Sequence, residues 1–251
     1  MRARVKLHAL SEHAALAALS AMERGRLDHI ARSIPSEHSA VPGLPEMTAG
    51  LRGRPLLRRW VMVVAAAEAL GFVVPAIVGA TTASAPSSVV VPALIAAGLF
   101  EGTVLGIGQA LVLRRAIPSL SMLRWVFATA VGAMLAYALG ILPSSLGGDW
   151  SRSVIIAGAI ALGVLILVII GGTQWLVLRR HVDDAYRWIL ITATAWLLGL
   201  GVFLGVSTPL WQEGQSRVAA IGVGVFGGLL MAGVTALITG LGLVKMLSSD
   251  D

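Results

Sequence analysis

Six stretches of this chain, at 60–80, 89–113, 123–142, 154–178, 188–206 and 218–247, are apolar almost throughout. A helix needs about 20 such residues to cross the hydrocarbon core of a bilayer, and each stretch is close to that length or beyond it. Transmembrane strands would alternate apolar and polar residues over segments of about ten. Here runs such as 161–170 (ALGVLILVII) are apolar at every position. In lipid the backbone must satisfy its own hydrogen bonds, so these runs are expected to be helices. The composition agrees: 57% of the 251 residues are hydrophobic and 13% are charged, where a soluble domain carries about 25% charged residues. That shortfall excludes a soluble enzyme and a disordered chain. The absence of cysteine excludes a disulfide scaffold, thiolate metal sites and thiol catalysis. The expectation is an all-α integral membrane protein with six transmembrane helices.

The basic residues give an orientation. Of nineteen Lys and Arg, seventeen fall before the first span, between the second and third spans, between the fourth and fifth, or after the sixth. Arg152 and Arg217 alone fall in the alternate connections. The positive-inside rule then puts both termini in the cytoplasm, and the chain is expected in a bacterial inner membrane. Trp60, Trp125 and Trp188 fall at the inner ends of spans, and Trp150 and Trp211 in outer connections, a pattern that reads as two aromatic belts. The net charge of +6 is thereby assigned to topology and to anionic lipid at the cytoplasmic face, with no nucleic-acid partner.

An internal repeat organises the spans. Residues 105–115 (LGIGQALVLRR) and 170–180 (IGGTQWLVLRR) share seven of eleven positions at an offset of 65. Arg124, Trp125 and Thr129 correspond to Arg187, Trp188 and Thr192 at an offset of 63. The 65-residue period also sets Trp60 against Trp125, Thr239 against Gln174 and Lys245 against Arg180. The unit is a helical hairpin that starts at an Arg-Trp and ends in an Arg-Arg strip. Three copies (58–115, 123–180 and 187–245) make up the membrane domain, 58–247. Each copy crosses twice, so all three keep one orientation and are expected to be related by a pseudo-threefold axis along the membrane normal. On these strips, the Arg-Trp starts and the terminal GVTALITGLGLVK at 233–245, the chain resembles a group of bacterial multipass membrane proteins with tandem GxxQWLVLRR hairpins and a Gly-rich last helix. The resemblance implies the fold and brings no activity with it.

Residues 1–57 are different in kind, holding four of the five histidines. An amphipathic helix is expected at 11–33, on anionic lipid or a partner, and a Pro- and Gly-containing linker at 34–57. The alternative is an extended tail from an upstream start codon, since a chain begun at Met47 reaches the first span after a short basic lead; loosely ordered linker is the remaining reading.

The chemistry is concentrated in a few polar groups inside the spans. A carboxyl within a spanning helix costs about 2.5 to 3.5 kcal/mol on insertion scales, so it is read as a functional site by default. At a rise of about 1.5 Å per residue, Glu68 lies ~12 Å from Trp60 and Glu101 ~18 Å from Leu113, both at mid-membrane depth. Such a pair can share a proton or hold a cation. Alternatively each is neutral and bonded to Thr103, Thr129, Thr192 or a helix carbonyl. Gln109, Gln174 and Thr239 stand at equivalent positions one turn or more before Arg115, Arg180 and Lys245. With Arg114 and Arg179 these basic residues form an inner rim, and the three polar residues a ring at the cytoplasmic mouth. Such a ring is a constriction or, on the plainer reading, interhelical bonding beneath snorkelling arginines. Gly98, Gly102 and Gly106, Gly201 and Gly205, and Gly224 and Gly228 form GxxxG steps that favour close packing within the chain, in a homo-oligomer or against subunits of a membrane complex.

Nothing in the spans suggests an enzyme. All five histidines lie outside them, so no buried histidine can serve a nucleophile or ligate a metal in the bilayer. Asp183 and Asp184 read as a solvated loop, no metal site is expected, and no cofactor is named by the sequence. The expected function is a small transporter or channel-like protein for a proton-coupled or ionic solute, with Glu68 and Glu101 as its protonatable pair. The alternative is a non-catalytic accessory subunit that packs through glycine faces.

Overall fold

A computed structural model describes residues 51–145 and 150–248, together with Arg26. The helix expected at 11–33 and most of the linker at 34–57 lie outside these residues. The described residues form six long helices: α1 (Gly53–Thr82), α2 (Ser87–Ala116), α3 (Met122–Ser145), α4 (Arg152–Leu178), α5 (Arg187–Leu210) and α6 (Arg217–Leu247). Each contains the apolar run expected of it and is long and apolar enough to cross a membrane. The protein is therefore multi-pass and all-helical in its described part. α1 begins at Gly53, within the stretch expected as linker. Gly53 takes a φ of +57°, a left-handed value that glycine adopts without penalty, and Pro55 falls in the first turn, where no helical N–H is missed.

Connections at both ends are short. Between α1 and α2 the chain turns over four residues to Pro86, whose φ of −65° leads into the helix. Ser216 caps α6 by accepting a hydrogen bond from the Ala219 N–H at 3.2 Å, which satisfies one of the donors a helix start leaves open. Where the chain enters α1, the Leu51 N–H donates to Arg115 O at 3.0 Å and Arg52 Nη1 to Ala116 O at 2.6 Å. These bonds tie the start of α1 to the last carbonyls of α2, groups a helix cannot satisfy internally.

Consecutive helices pack on one another, and α6 closes back on α1; among the described residues no other pair of helices approaches backbone to backbone. The six thus make a closed ring, with α1, α3 and α5 starting at the end where α2, α4 and α6 finish. Glycines permit the closest approach. A Cβ at Gly102 would stand 2.5 Å from Ala133 Cβ and 2.9 Å from Thr129 O, so only hydrogen fits between α2 and α3 there. Gly98 and Gly106 meet the same helix, which puts that GxxxG run inside the ring. Gly228 packs on Phe72, whereas Gly201 and Gly205 have nothing within 4 Å.

Burial is uneven along the axis. The core cluster gathers at the end that carries Trp60, Trp125 and Trp188, with Leu56, Leu113, Leu178 and Leu243 around them. Toward the other end the helices lose their neighbours, and residues 151–161 of the α4 region are exposed on every side.

Candidate functional site

The tryptophan end is closed by hydrogen-bonded indoles. Trp60, Trp125 and Trp188 are each 0% exposed, so they stand inside the ring and not in an interfacial belt as expected. Their rings touch: the Trp60 and Trp188 centroids are 5.9 Å apart and nearly perpendicular, and those of Trp125 and Trp188 are 6.0 Å apart. Each indole N–H donates to the polar residue of the helix before it around the ring. Trp125 donates to Gln109 Oε1 at 3.0 Å, Trp188 to Gln174 Oε1 at 2.8 Å, and Trp60 to Thr239 Oγ1 at 3.0 Å. Gln174 Nε2 in turn donates to Gln109 Oε1 at 2.8 Å and to Thr129 Oγ1 at 2.9 Å. The structure brings Gln109 and Gln174 into direct contact and links Thr239 to them through stacked indoles. An amide in a buried, low-dielectric seam has to be bonded, and here the bonding partners also fill the seam.

Below this layer, on the tryptophan side, the expected rim residues Arg114, Arg115, Arg179, Arg180 and Lys245 are all exposed. Arg179 lies over the Trp175 ring at 4.9 Å. Asp184 pairs with Arg187 at 2.7 Å in the same exposed region, and Ser119 bonds His181 Nδ1 at 3.0 Å. Among the described residues no three of His, Cys, Asp and Glu come together.

The carboxyls lie on the other side of the indoles. Glu68 is 1% exposed and Glu101 4%, on facing helices α1 and α2. Gly71, one turn beyond Glu68, packs against the Glu101 backbone and side chain, which sets the two carboxyls within electrostatic reach of each other. Glu101 Oε2 accepts a 2.6 Å hydrogen bond from the Tyr137 hydroxyl. Tyr137 is held there because its ring packs against Gly98, one turn before Glu101. Of the threonines expected as partners, Thr103 donates to Leu99 O and Thr129 to Trp125 O. Glu68 lies within hydrogen-bond reach of the Glu101 carboxyl, whereas the hydroxyls of Thr192 and Thr235 have no hydrogen-bond partner among the described residues.

Two spaces border these groups. A central cavity of about 160 Å³ has walls from all six helices, including Phe72, Glu101, Tyr137, Ile166, Trp196 and Met231. Beneath it, toward the indoles, a void of about 10 Å³ is lined by Glu68, Gln109, Thr192, Thr235 and Thr239. That volume admits about one water-sized particle, and the unpartnered Thr192 and Thr235 hydroxyls belong to its wall. Cavity and void share Leu105, Ile170 and Trp196 as lining, so they lie one above the other. Among the described residues no basic side chain lines either space.

Tyr137, Trp196, Phe203 and Thr235 were not singled out by sequence. Two of them carried a signal: Tyr137 lies 65 residues after Phe72, and Trp196 follows Trp188 by the eight residues that separate Glu68 from Trp60. No protein-family model, no curated protein and no solved structure matches the chain.

Proposed function

We propose that the protein is a small transporter of the bacterial inner membrane, with both termini cytoplasmic, in which Glu68 and Glu101 carry the protons exchanged against a solute in the central cavity. The carrying observation is Glu68: a carboxyl 1% exposed whose polar neighbour is the Glu101 carboxyl, beside a void that adjoins a cavity walled by six helices. A bond between two carboxyls needs a proton on one of them, so this contact responds to protonation as a structural bond to a threonine or carbonyl would not. Two ionised carboxylates without a basic partner would cost several kcal/mol each. A protonation cycle, or an outside cation, relieves that cost. In this conformation the indole and amide layer separates the cavity from the cytoplasmic side, so a transport cycle has to part it.

A three-hairpin architecture with a pseudo-threefold axis belongs to the same reading. Its support is the threefold recurrence of one bond, indole N–H to the polar residue at 109, 174 or 239. The cavity wall repeats in the same way: Glu101, Ile166 and Met231, spaced by 65 residues, all line it.

The test is flux in liposomes. With the purified protein reconstituted, a pH-sensitive dye inside the vesicles should report proton movement that falls about a hundredfold or more in Glu68→Gln, the loss typical of removing a positioned proton-transfer group, and also falls in Glu101→Gln. Vesicles that stay proton-tight with wild type, while both variants insert and fold alike, would overturn the proposal. One observation favours an accessory subunit instead: Gly201 and Gly205 face no neighbour within the chain and offer a small-residue face to another helix. Cross-linking at that face in native membranes separates the two readings.

A further inference from the structure

The central cavity combines three properties that together specify a kind of guest. The first is size. A dry cavity of about 150 Å³ accepts benzene, whereas sites for drug-sized ligands run from about 300 Å³ upward. At about 160 Å³ the space suits one compact group of a few heavy atoms. The second is an aromatic wall: Phe72, Tyr137, Trp196 and Phe203 all line it, with Phe72 and Phe203 locked edge to face at 5.4 Å. In a space this narrow any guest touches the rings. The third is charge. Among the described residues Glu101 is the one carboxyl in the wall, and no Lys, Arg or His accompanies it.

We propose that this cavity is a binding site for a small alkylammonium ion, held by the aromatic cage of Phe72, Tyr137, Trp196 and Phe203 with the Glu101 carboxylate as counter-ion. The proposal rests on the transport reading above and names its substrate class. Ring faces attract a cation through their quadrupole, and they favour quaternary and methylated ammonium groups, which shed water at little cost. A hard metal ion is poorly served here. The wall offers it a carboxyl and a phenol oxygen, against the six or so oxygens such ions take. A neutral apolar guest would fill the space and leave the carboxyl unused.

Charge balance gives the coupling. When the ammonium ion enters, the O–H bond of the Glu101 carboxylic acid breaks, the proton leaves to water, and the carboxylate remains as partner to the guest. The Tyr137 hydroxyl, already donating to Glu101 Oε2 at 2.6 Å, holds that carboxylate in place. One positive charge replaces another, so the buried site keeps its net charge through the exchange. No covalent bond to the guest forms.

The experiment is isothermal titration of the full-length protein in nanodiscs with choline, and with 3,3-dimethylbutan-1-ol, which has choline's shape and no charge. Choline should saturate and release a proton, seen as a binding heat that changes with the ionisation heat of the buffer. The alcohol should bind at least tenfold more weakly. Glu101→Gln should abolish choline binding. Trp196→Leu, which leaves the carboxyl in place and guards against a misfolded Glu101 variant, should weaken it roughly tenfold, the loss expected of a desolvated ring contact. Equal binding of the alcohol, choline binding that survives in Glu101→Gln, or no choline binding to wild type would each overturn the proposal. If choline fails while liposome proton flux still depends on Glu68, the transport reading stands and this substrate class does not.

Discussion

The two ends of the helix ring are built from the same apolar alphabet and differ in what the helices do with it. At the tryptophan end three indoles are 0% exposed, bonded to two amides and a threonine, and the seam is filled. At the other end residues 151–161 are exposed on all sides, and Gly158 and Gly163 meet nothing within 4 Å. Lipid tails are as apolar as leucine, so apolar surface alone does not draw helices together in a membrane. Shape and hydrogen bonding do, and both are concentrated at one end. The cavity and the two carboxyls sit where tight packing gives way to loose packing.

This comparison can be broken most directly with tryptophan. Trp188→Ala removes a filled centre and leaves Gln174 Oε1 without its donor; burial of this kind is worth about 3 to 5 kcal/mol. Trp211, 57% exposed beyond the end of α5, should tolerate alanine with a change within about 0.5 kcal/mol. Reversible unfolding in detergent compares the two variants, and equal losses would erase the distinction between the ends. A smaller contrast comes from glycine. Gly102→Ala forces a Cβ to within 2.5 Å of Ala133 and should destabilise by about 1 to 3 kcal/mol through overpacking. Gly158→Ala meets no neighbour and should stabilise by about 0.4 to 1 kcal/mol through lost freedom in the unfolded chain. The pair can be read from thermal denaturation, where shifts of the same sign would contradict the packing described above. Smallest is Tyr137→Phe, which removes one interhelical bond to Glu101 worth about 0.6 kcal/mol in a membrane setting. A stability change much larger than that would mean that Tyr137 does more than orient the carboxyl.

How much of this was legible in the sequence follows from which forces leave a periodic trace. Bilayer thickness fixes span length, so all six helices could be read directly, with α1 starting earlier than expected because Gly53 and Pro55 open the helix ahead of the apolar run. The repeat, at offsets of 65 and 63 residues, set Trp60, Trp125 and Trp188 against one another as an expectation, and likewise Gln109, Gln174 and Thr239 at 65. It could not say that the first set donates to the second. Tryptophan at a span end satisfies an interfacial belt and a buried plug equally well until the neighbouring helix is known. Glu68 and Glu101 stood out because acids are costly at that depth. Tyr137, the partner of Glu101, and the neighbouring Trp196 left only their repeat spacing as a trace, which marks an equivalent position and not the cavity it faces. The glycine steps predicted close packing, but only the ring order tells Gly102, caught between α2 and α3, from Gly201, which meets nothing.

Closure of the ring by α6 on α1 also sets a clock on synthesis. The Trp60 indole finds its acceptor on Thr239, 179 residues later in the chain. At ribosomal rates of about 5 to 20 residues per second, that acceptor arrives on the order of ten to forty seconds after Trp60 itself. Through that interval α6 is absent, so the Trp60 indole N–H lacks its Thr239 partner and the side of the void beside Glu68 that α6 lines is uncovered. A nascent chain stalled before its last helix is therefore the form in which these buried groups are bare, and the form a membrane protease or insertase has most occasion to meet.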